Sequence, residues 1–340
     1  MAERRAAERI GLSEVARLAR VSEATVSRVI NRKSGVSTRT REAVERAMTA
    51  LNVSRRTEGE LVLVVVPELA NDVFTRLAER IEAELSPFGL HIVLSLAVPG
   101  SARERIFVES TVGAGIVGAV FLSASNTMAR ADHTAQRMLT ERRVPFVNVN
   151  GGAGGAAAPT YSTDDRRAAE LAVDHLHALG HRRIAMLAGP AGNLLADRRA
   201  DGFRAALRKH GLDGERPLLA RQLFTVDGGR SGGADLIAGG ATAIVAASDR
   251  MALGAASAAS RRGLSVPRDL SVVGYDDSPF LDLTAPPLTT VRQPTETLGR
   301  HAAQALQLMI SGRAAPGGEV LIDPELRIRG STAACPAGGG

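Results

Sequence analysis

Leu61-Val62-Leu63-Val64-Val65-Val66 is an unbroken apolar run closed by Pro67. A run this short and uniform reads as a strand buried on both faces, because a half-exposed strand would alternate. Amphipathic and apolar segments then alternate: helix 72–85, strand 91–97, helix 102–112, strand 118–122, helix 128–142 and strand 146–150. Glycine-rich 151–158 reads as a loop. A second round begins after Tyr161, with helix 166–179, strand 183–188, helix 200–210 and a short strand near 222–225. It continues through helix 233–238, strand 243–247, helix 251–262 and strand 271–274. Two rounds of helix and buried strand imply an α/β chain with two lobes, each built on a parallel sheet. Ligands of such sheets bind at the carboxyl ends of the strands, so the cleft between lobes is the expected pocket.

The first 60 residues obey a different rule, with no strand pattern at all. Ser13 is placed to cap a helix whose Val15, Ala16 and Ala19 form one apolar face. Ser22 is placed to cap a second, whose Val26, Val29 and Ile30 point back at the first. Its outer face carries Glu23, Ala24, Ser27 and Arg28, small or hydrogen-bonding side chains that suit a major groove about 12 Å wide. Ser37 is placed to cap a third helix, with Val44, Ala47, Met48 and Leu51 as its apolar stripe. The pattern alone also fits a plain helical packing unit. Charge favours the DNA-binding reading, since residues 1–60 hold 13 Arg and Lys against 8 Asp and Glu in a chain of net charge +6. A basic head on a near-neutral body is the electrostatic layout of a protein that grips phosphates.

Other classes lose ground on composition. Cys335 is the only cysteine, which rules out a disulfide framework or a thiolate metal site. His175 and His177 stand two apart and share no helix face, so no metal spacing appears among the seven histidines, and no cofactor loop is visible. Met1–Ile10 lacks the apolar core of a leader and no apolar run approaches the ~20 residues of a span, so the expected location is cytoplasmic with no membrane partner. Gly113-Ala114-Gly115-Ile116-Val117-Gly118 spells GxGxxG but has a helix before it and a strand after, the inverse of a dinucleotide site. Gly229-Arg230-Ser231-Gly232-Gly233 spells GxSxG, yet the only downstream histidine is His301, so Ser231 reads as a loop residue or helix cap. An enzyme and a transport-associated binding protein are thereby disfavoured.

Taken together, these segments resemble the LacI/GalR family of transcriptional regulators over nearly the whole chain. The head is similar from Glu14-Val15-Ala16 through Thr25-Val26-Ser27-Arg28-Val29-Ile30-Asn31. The body is similar at Thr163-Asp164-Asp165, at Leu179-Gly180-His181-Arg182-Arg183-Ile184-Ala185 and at Gly202-Phe203-Arg204-Ala205-Ala206-Leu207. The most specific stretch joins Ala247-Ser248-Asp249-Arg250-Met251-Ala252-Leu253-Gly254 to Ser271-Val272-Val273-Gly274-Tyr275-Asp276-Asp277 and Pro287-Leu288-Thr289-Thr290-Val291. The resemblance implies a helix-turn-helix headpiece over 1–53, a linker over 54–60 and a periplasmic-binding-protein-like effector and dimerisation domain over 61–332, with crossovers between its lobes near 160, 288 and 322. It also implies a homodimeric repressor on a near-palindromic double-stranded operator, controlled by a small sugar-like or polyol effector.

The expected DNA contacts of the headpiece are Ser22, Glu23, Ala24, Thr25, Ser27, Arg28 and Asn31, and carried over residue by residue, the family's effector contacts fall on Phe74, Arg199, Phe224, Ser248 and Asp276. An arginine fork that donates beside a carboxylate that accepts is a signature for adjacent hydroxyls. The same two residues could instead form a structural ion pair, and Phe74 could simply pack in the core. Ser248 departs from the family's usual asparagine, and Asp72 from its common proline. The linker departs most, because Ser54-Arg55-Arg56-Thr57-Glu58-Gly59-Glu60 is too short and too polar for the family's hinge helix with its apolar wedge. Arg55 and Arg56 suit phosphate or minor-groove contact and equally suit plain solvation.

Overall fold

The computed structural model describes residues 12–30, 35–51, 60–153, 158–212 and 218–336. It divides into two compact units, Met1–Glu60 and Leu61–Gly340.

In the first unit, α1 (Leu12–Ala19), α2 (Glu23–Ile30) and α3 (Thr38–Ala50) enclose a small core of Val15, Ala16, Val26, Val29, Val44, Ala47 and Met48. Helix α1 starts at Leu12, one residue ahead of Ser13, whose side chain lies outside the described residues. The other two caps form as the sequence suggests. Ser22 Oγ accepts from the Thr25 N–H at 3.2 Å, and Ser37 Oγ from the Thr40 N–H at 3.1 Å. The turn between α1 and α2 is closed by the Val21 N–H on the Ala16 carbonyl at 3.0 Å, with Arg20 at φ +55°. That left-handed turn costs a non-glycine residue about 1 kcal/mol, and the packing of Val15 on Val26 and Val29 sustains it.

Among the described residues, the second unit holds two sheets of six strands. The first comprises β1 (Glu60–Val66), β2 (Leu90–Leu96), β3 (Gly118–Leu122), β4 (Phe146–Val149), β5 (Thr160–Thr163) and β11 (Glu319–Ile322), in the order β11-β5-β4-β3-β1-β2. The second comprises β6 (Ile184–Ala188), β7 (Leu219–Arg221), β8 (Ala243–Ala246), β9 (Ser271–Asp276), β10 (Thr289–Arg292) and β12 (Glu325–Arg327), in the order β12-β10-β9-β8-β6-β7. Strand β12 runs antiparallel to β10, an exception to the parallel expectation, while β10, β9, β8, β6 and β7 pair in parallel. The pleat of β1 explains its unbroken apolar run. Val62, Val64 and Val66 face one core with α4 (Asp72–Leu85) and α11 (Thr295–Ile310), and Leu63 and Val65 face another with α5 (Ala102–Gly113) and α6 (Thr134–Glu141). The second sheet is likewise covered, by α7 (Asp165–Ala178) and α8 (Leu194–Lys209) on one face and by α9 (Val226–Ala238) and α10 (Asp249–Arg261) on the other. The chain passes between lobes after Thr163, again between Arg292 and Thr295, and finally between Ile322 and Glu325.

Several boundaries differ from the sequence pattern. The helix expected over 128–142 shrinks to α6, preceded by a 3-10 turn at Ser125–Thr127. The strand expected near 222–225 lies at 219–221, which leaves Phe224 in the following turn. Helix α8 begins at Leu194, capped by Asn193, six residues earlier than the apolar spacing suggests. Strands β5, β10, β11 and β12 have no counterpart in the alternation. Most instructive is α9, expected to start at 233 and observed to start at Val226, so that Ser231 is neither loop nor cap but mid-helix. Each interior glycine disfavours a helix by about 1 kcal/mol. The compensation is tertiary. A Cβ at Gly229 would sit 2.3 Å from the Met251 carbonyl oxygen, and one at Gly254 would sit 2.2 Å from that of Val226, so α9 and α10 approach backbone to backbone. No described helix is long and apolar enough to cross a membrane.

Candidate functional site

Residues immediately after the strands converge between the two lobes. Pro67, Ser123 and Asn150 follow β1, β3 and β4, and Pro190, Ala247 and Asp276 follow or end β6, β8 and β9. They line a cavity of about 300 Å³ that all five carried-over positions also line: Phe74, Arg199, Phe224, Ser248 and Asp276. Ser123, Asn150 and Asp276 adopt φ of +49°, +59° and +123°, backbone strain concentrated at the rim of one cavity.

Arg199 and Asp276 are not each other's partners, which corrects the simple pairing of the two. Both belong to the second lobe. Arg199 Nε donates to Asp165 Oδ1 at 2.7 Å and Nη1 donates to the Ala247 carbonyl, while Nη2 has no partner among the described residues. The guanidinium carbon lies 4.0 Å from the Tyr275 ring centroid and 5.9 Å from that of Phe224. Phe224 reaches this place because residue 189 is glycine: a Cβ there would lie 2.2 Å from the ring. Burial pushes the Asp165 carboxyl up, opposed by the Arg199 charge and by the Tyr275 hydroxyl, which donates to it at 2.8 Å. Burial opposes the Arg199 charge too, but the carboxylates around it, Asp165 first, hold its pKa above the ordinary value.

Asp276 accepts from Gln293 Nε2 at 2.7 Å and from Asn71 Nδ2 at 3.0 Å. Burial raises its pKa to about 6, against the pull of Arg199 and of these two amides. Asp249, at the start of α10, is raised to about 8 by burial and by the charge of Asp276. It accepts from the Thr290 hydroxyl at 2.6 Å and the Ser278 N–H at 2.8 Å, with no cation among its hydrogen-bond partners in the described residues. Asp277 turns the other way, and Arg329 and Arg292 overcome its burial and hold it below the usual carboxylate range. Ser248 Oγ caps α10 on the Met251 N–H at 3.3 Å, so the departure from asparagine keeps a helix cap.

Polar contacts tie the lobes across the cleft. Besides Asn71 on Asp276, Asn193 Nδ2 donates to Thr127 Oγ1 at 3.3 Å, Ser278 Oγ to Asp72 at 2.7 Å, and Arg250 to Glu68 at 2.8 Å. Sequence spacing gave no hint of Asn71, Asn150, Asn193 or Gln293 in the cavity. Asp165 stood in the Thr163-Asp164-Asp165 segment of the resemblance, but no role was attached to it.

In the first unit, Ser22, Glu23, Ala24 and Arg28 are exposed on α2 and its cap, and Thr25 and Ser27 are half-buried. The Thr25 hydroxyl is engaged with Ser22 Oγ at 2.9 Å. Asn31, Arg55, Arg56 and the rest of the linker over 52–59 lie outside the described residues.

Comparison with known proteins decides the family. Residues 11–55 match the model for bacterial regulatory proteins of the lacI family, and residues 173–332 match a periplasmic binding protein-like domain. HTH-type transcriptional regulator MalR of Streptomyces coelicolor is 42% identical over 335 residues, 96% of this chain and 97% of that protein. The chain belongs to the LacI family. HTH-type transcriptional repressor CytR of Escherichia coli K12 is 34% identical over 96% of the chain and 97% of its own length. A transcriptional regulator CelR–cellobiose complex aligns with a TM-score of 0.73 at 33% identity, over 95% of this chain and all of that one. The lac repressor dimer bound to operator and an anti-inducer aligns with a TM-score of 0.81 at 29% identity, over 96% and 100%. LacI-family proteins are transcriptional regulators and not enzymes, and this chain is one of them: a helix-turn-helix unit joined to a two-sheet effector-binding fold.

Proposed function

We propose that this LacI-family chain is a homodimeric cytoplasmic repressor whose grip on a near-palindromic operator is set by an uncharged sugar or related polyol held between the lobes. The observation that carries the ligand class is that Arg199, whose Nη2 has no protein partner among the described residues, and the Asp276 carboxylate line one cavity. One donates and the other accepts, which suits neighbouring hydroxyls, and Phe74 and Phe224 offer apolar surface for the C–H faces of a sugar ring. The cellobiose-bound CelR structure and a ribose-bound family member from Enterococcus faecium support this class. Ser22, Glu23, Ala24, Thr25, Ser27 and Arg28 of the headpiece, with Asn31, are the proposed groove contacts, and Arg55 and Arg56 the proposed linker contacts. For assembly, exposed Leu94, Leu96 and Val98 on and after edge strand β2, and Phe280 and Leu283 after β9, offer apolar surface to a second copy.

The test is a melting-temperature screen with ribose, glucose, maltose and cellobiose, followed by gel shifts on fragments flanking the gene. A bound sugar stabilises the fold by about 2.7 kcal/mol at 100 times its Kd. Asp276→Ala is expected to abolish the response while operator binding stays near the unmodified level. A mutant that responds at the original sugar concentration would show that the effector sits elsewhere.

A further inference from the structure

The reading of the cleft as a sugar site leaves open how it treats the phosphate esters that accompany sugars in any cell. We infer that the cleft takes uncharged hydroxylated compounds and excludes their phosphate esters, and that Asp165 is the residue that sets this preference. The inference rests on the sugar-site reading and sharpens it.

At first sight the cleft looks built for anions. Three helices, α4, α8 and α10, begin at its wall, after Asn71, Asn193 and Ser248. Free N–H groups and the helix dipole normally make such an end attractive to phosphate. Here each end already carries a side-chain cap. Asn71 Oδ1 accepts from the Val73 N–H at 3.1 Å, Asn193 Oδ1 from Leu195 and Ala196 at 3.1 and 3.0 Å, and Ser248 Oγ from Met251 at 3.3 Å. Asp72, Asp197 and Asp249 place a carboxyl in each first turn. An incoming phosphate would have to break caps and approach carboxyls.

Arg199 is the one cation lining the cavity among the described residues. Its charge is met from behind by Asp165, 2.7 Å from Nε, while Asp276 brings a second carboxyl to the same wall. What the guanidinium keeps for a ligand is the directional N–H of Nη2, enough for a neutral hydroxyl and poor for a dianion.

Asp165 is costly to keep for the fold alone. It is 1% exposed, and its Oδ2 is buried with no hydrogen-bond partner among the described residues. Folding by itself does not favour an unsatisfied buried carboxylate oxygen. Cancelling the Arg199 charge is what the group does in return, and the 2.7 Å contact from Arg199 Nε holds it there without need of the Tyr275 hydroxyl.

The experiment is calorimetric titration of the full chain with three pairs: ribose and ribose 5-phosphate, glucose and glucose 6-phosphate, cellobiose and its 6′-phosphate. At least one uncharged member should bind, with its ester at least ~100-fold weaker. Asp165→Asn should narrow that ratio by ~10-fold or more, whereas Tyr275→Phe, which retains the carboxyl, should leave it wide. A purely structural role for Asp165 would lower the melting temperature and weaken both members alike, leaving the ratio unchanged and overturning the inference. Should Asp165→Asn fail to fold, the unmodified protein still decides, because an ester that binds as tightly as its parent is equally fatal. Binding of an ester without its parent sinks the inference while keeping a small-molecule cleft. Binding of none of the six compounds removes the sugar-site reading, and this inference with it.

Discussion

Asp249→Asn tests the electrostatics beneath the cleft. Asp249 is buried, accepts only from Thr290 and Ser278 among the described residues, and has its pKa raised to about 8 by burial and by Asp276. Its carboxyl lies against the backbone of Gly274, where a Cβ would come within 2.3 Å of Oδ1. In the unfolded chain the same group titrates near 4. The folded state therefore binds a proton that the unfolded state has lost across the interval from about 4 to about 8. Its stabilising contribution is complete below the unfolded pKa and is lost as pH rises through the folded one. Each pH unit inside that interval is worth about 1.4 kcal/mol, so stability should fall by roughly 2–3 kcal/mol between pH 6 and pH 8 from this group. Asparagine cannot ionise, and it can keep both contacts by accepting from Ser278 N–H and donating to Thr290 Oγ1. For a unit of this size, with an unfolding entropy near 0.6 kcal/mol/K, the variant should gain ~4 °C on the unmodified chain between pH 6 and pH 8. Calorimetric melts in matched ionic strength at pH 5, 6, 7, 8 and 9 provide the measurement. A variant destabilised equally at every pH, with the original slope intact, would show that Asp249 is ionised in the folded protein and that the argument from burial is wrong.

Two further outcomes follow from other parts of the chain. Arg28→Ala should weaken operator binding by roughly 1–3 kcal/mol if the exposed guanidinium makes a bidentate base contact, measured by fluorescence anisotropy at fixed salt. Unchanged affinity on the native operator takes Arg28 out of the interface. Gly254→Ala would favour an ordinary helix by about 1 kcal/mol, but here the new methyl meets the Val226 carbonyl at 2.2 Å, so a net loss of about 1–3 kcal/mol in a urea titration is expected. A gain in stability would mean that the close approach of α9 and α10 yields easily.

What the sequence determined by itself is whatever depends on neighbours along the chain. The caps at Ser22 and Ser37 are written within three residues of the N–H groups they serve. The apolar run of β1 and the change of period at residue 61 set apart a helical unit from a two-sheet one, because side-chain direction repeats with a fixed local period. The cavity positions Phe74, Arg199, Phe224, Ser248 and Asp276 were legible only through family resemblance, since nothing local distinguishes an arginine on the wall of a cleft from one on a surface. Tertiary structure alone decided the rest. Whether glycines 229 and 254 break a helix or join two depends on a second helix arriving at van der Waals distance. Asp165, 34 residues from Arg199, became its partner in place of Asp276 because α7 and α8 pack side by side on one face of the second sheet. The raised pKa of Asp249 has the same origin: a carboxyl's tendency to ionise is set by the water and the charges that the fold leaves around it, and no sequence spacing encodes these.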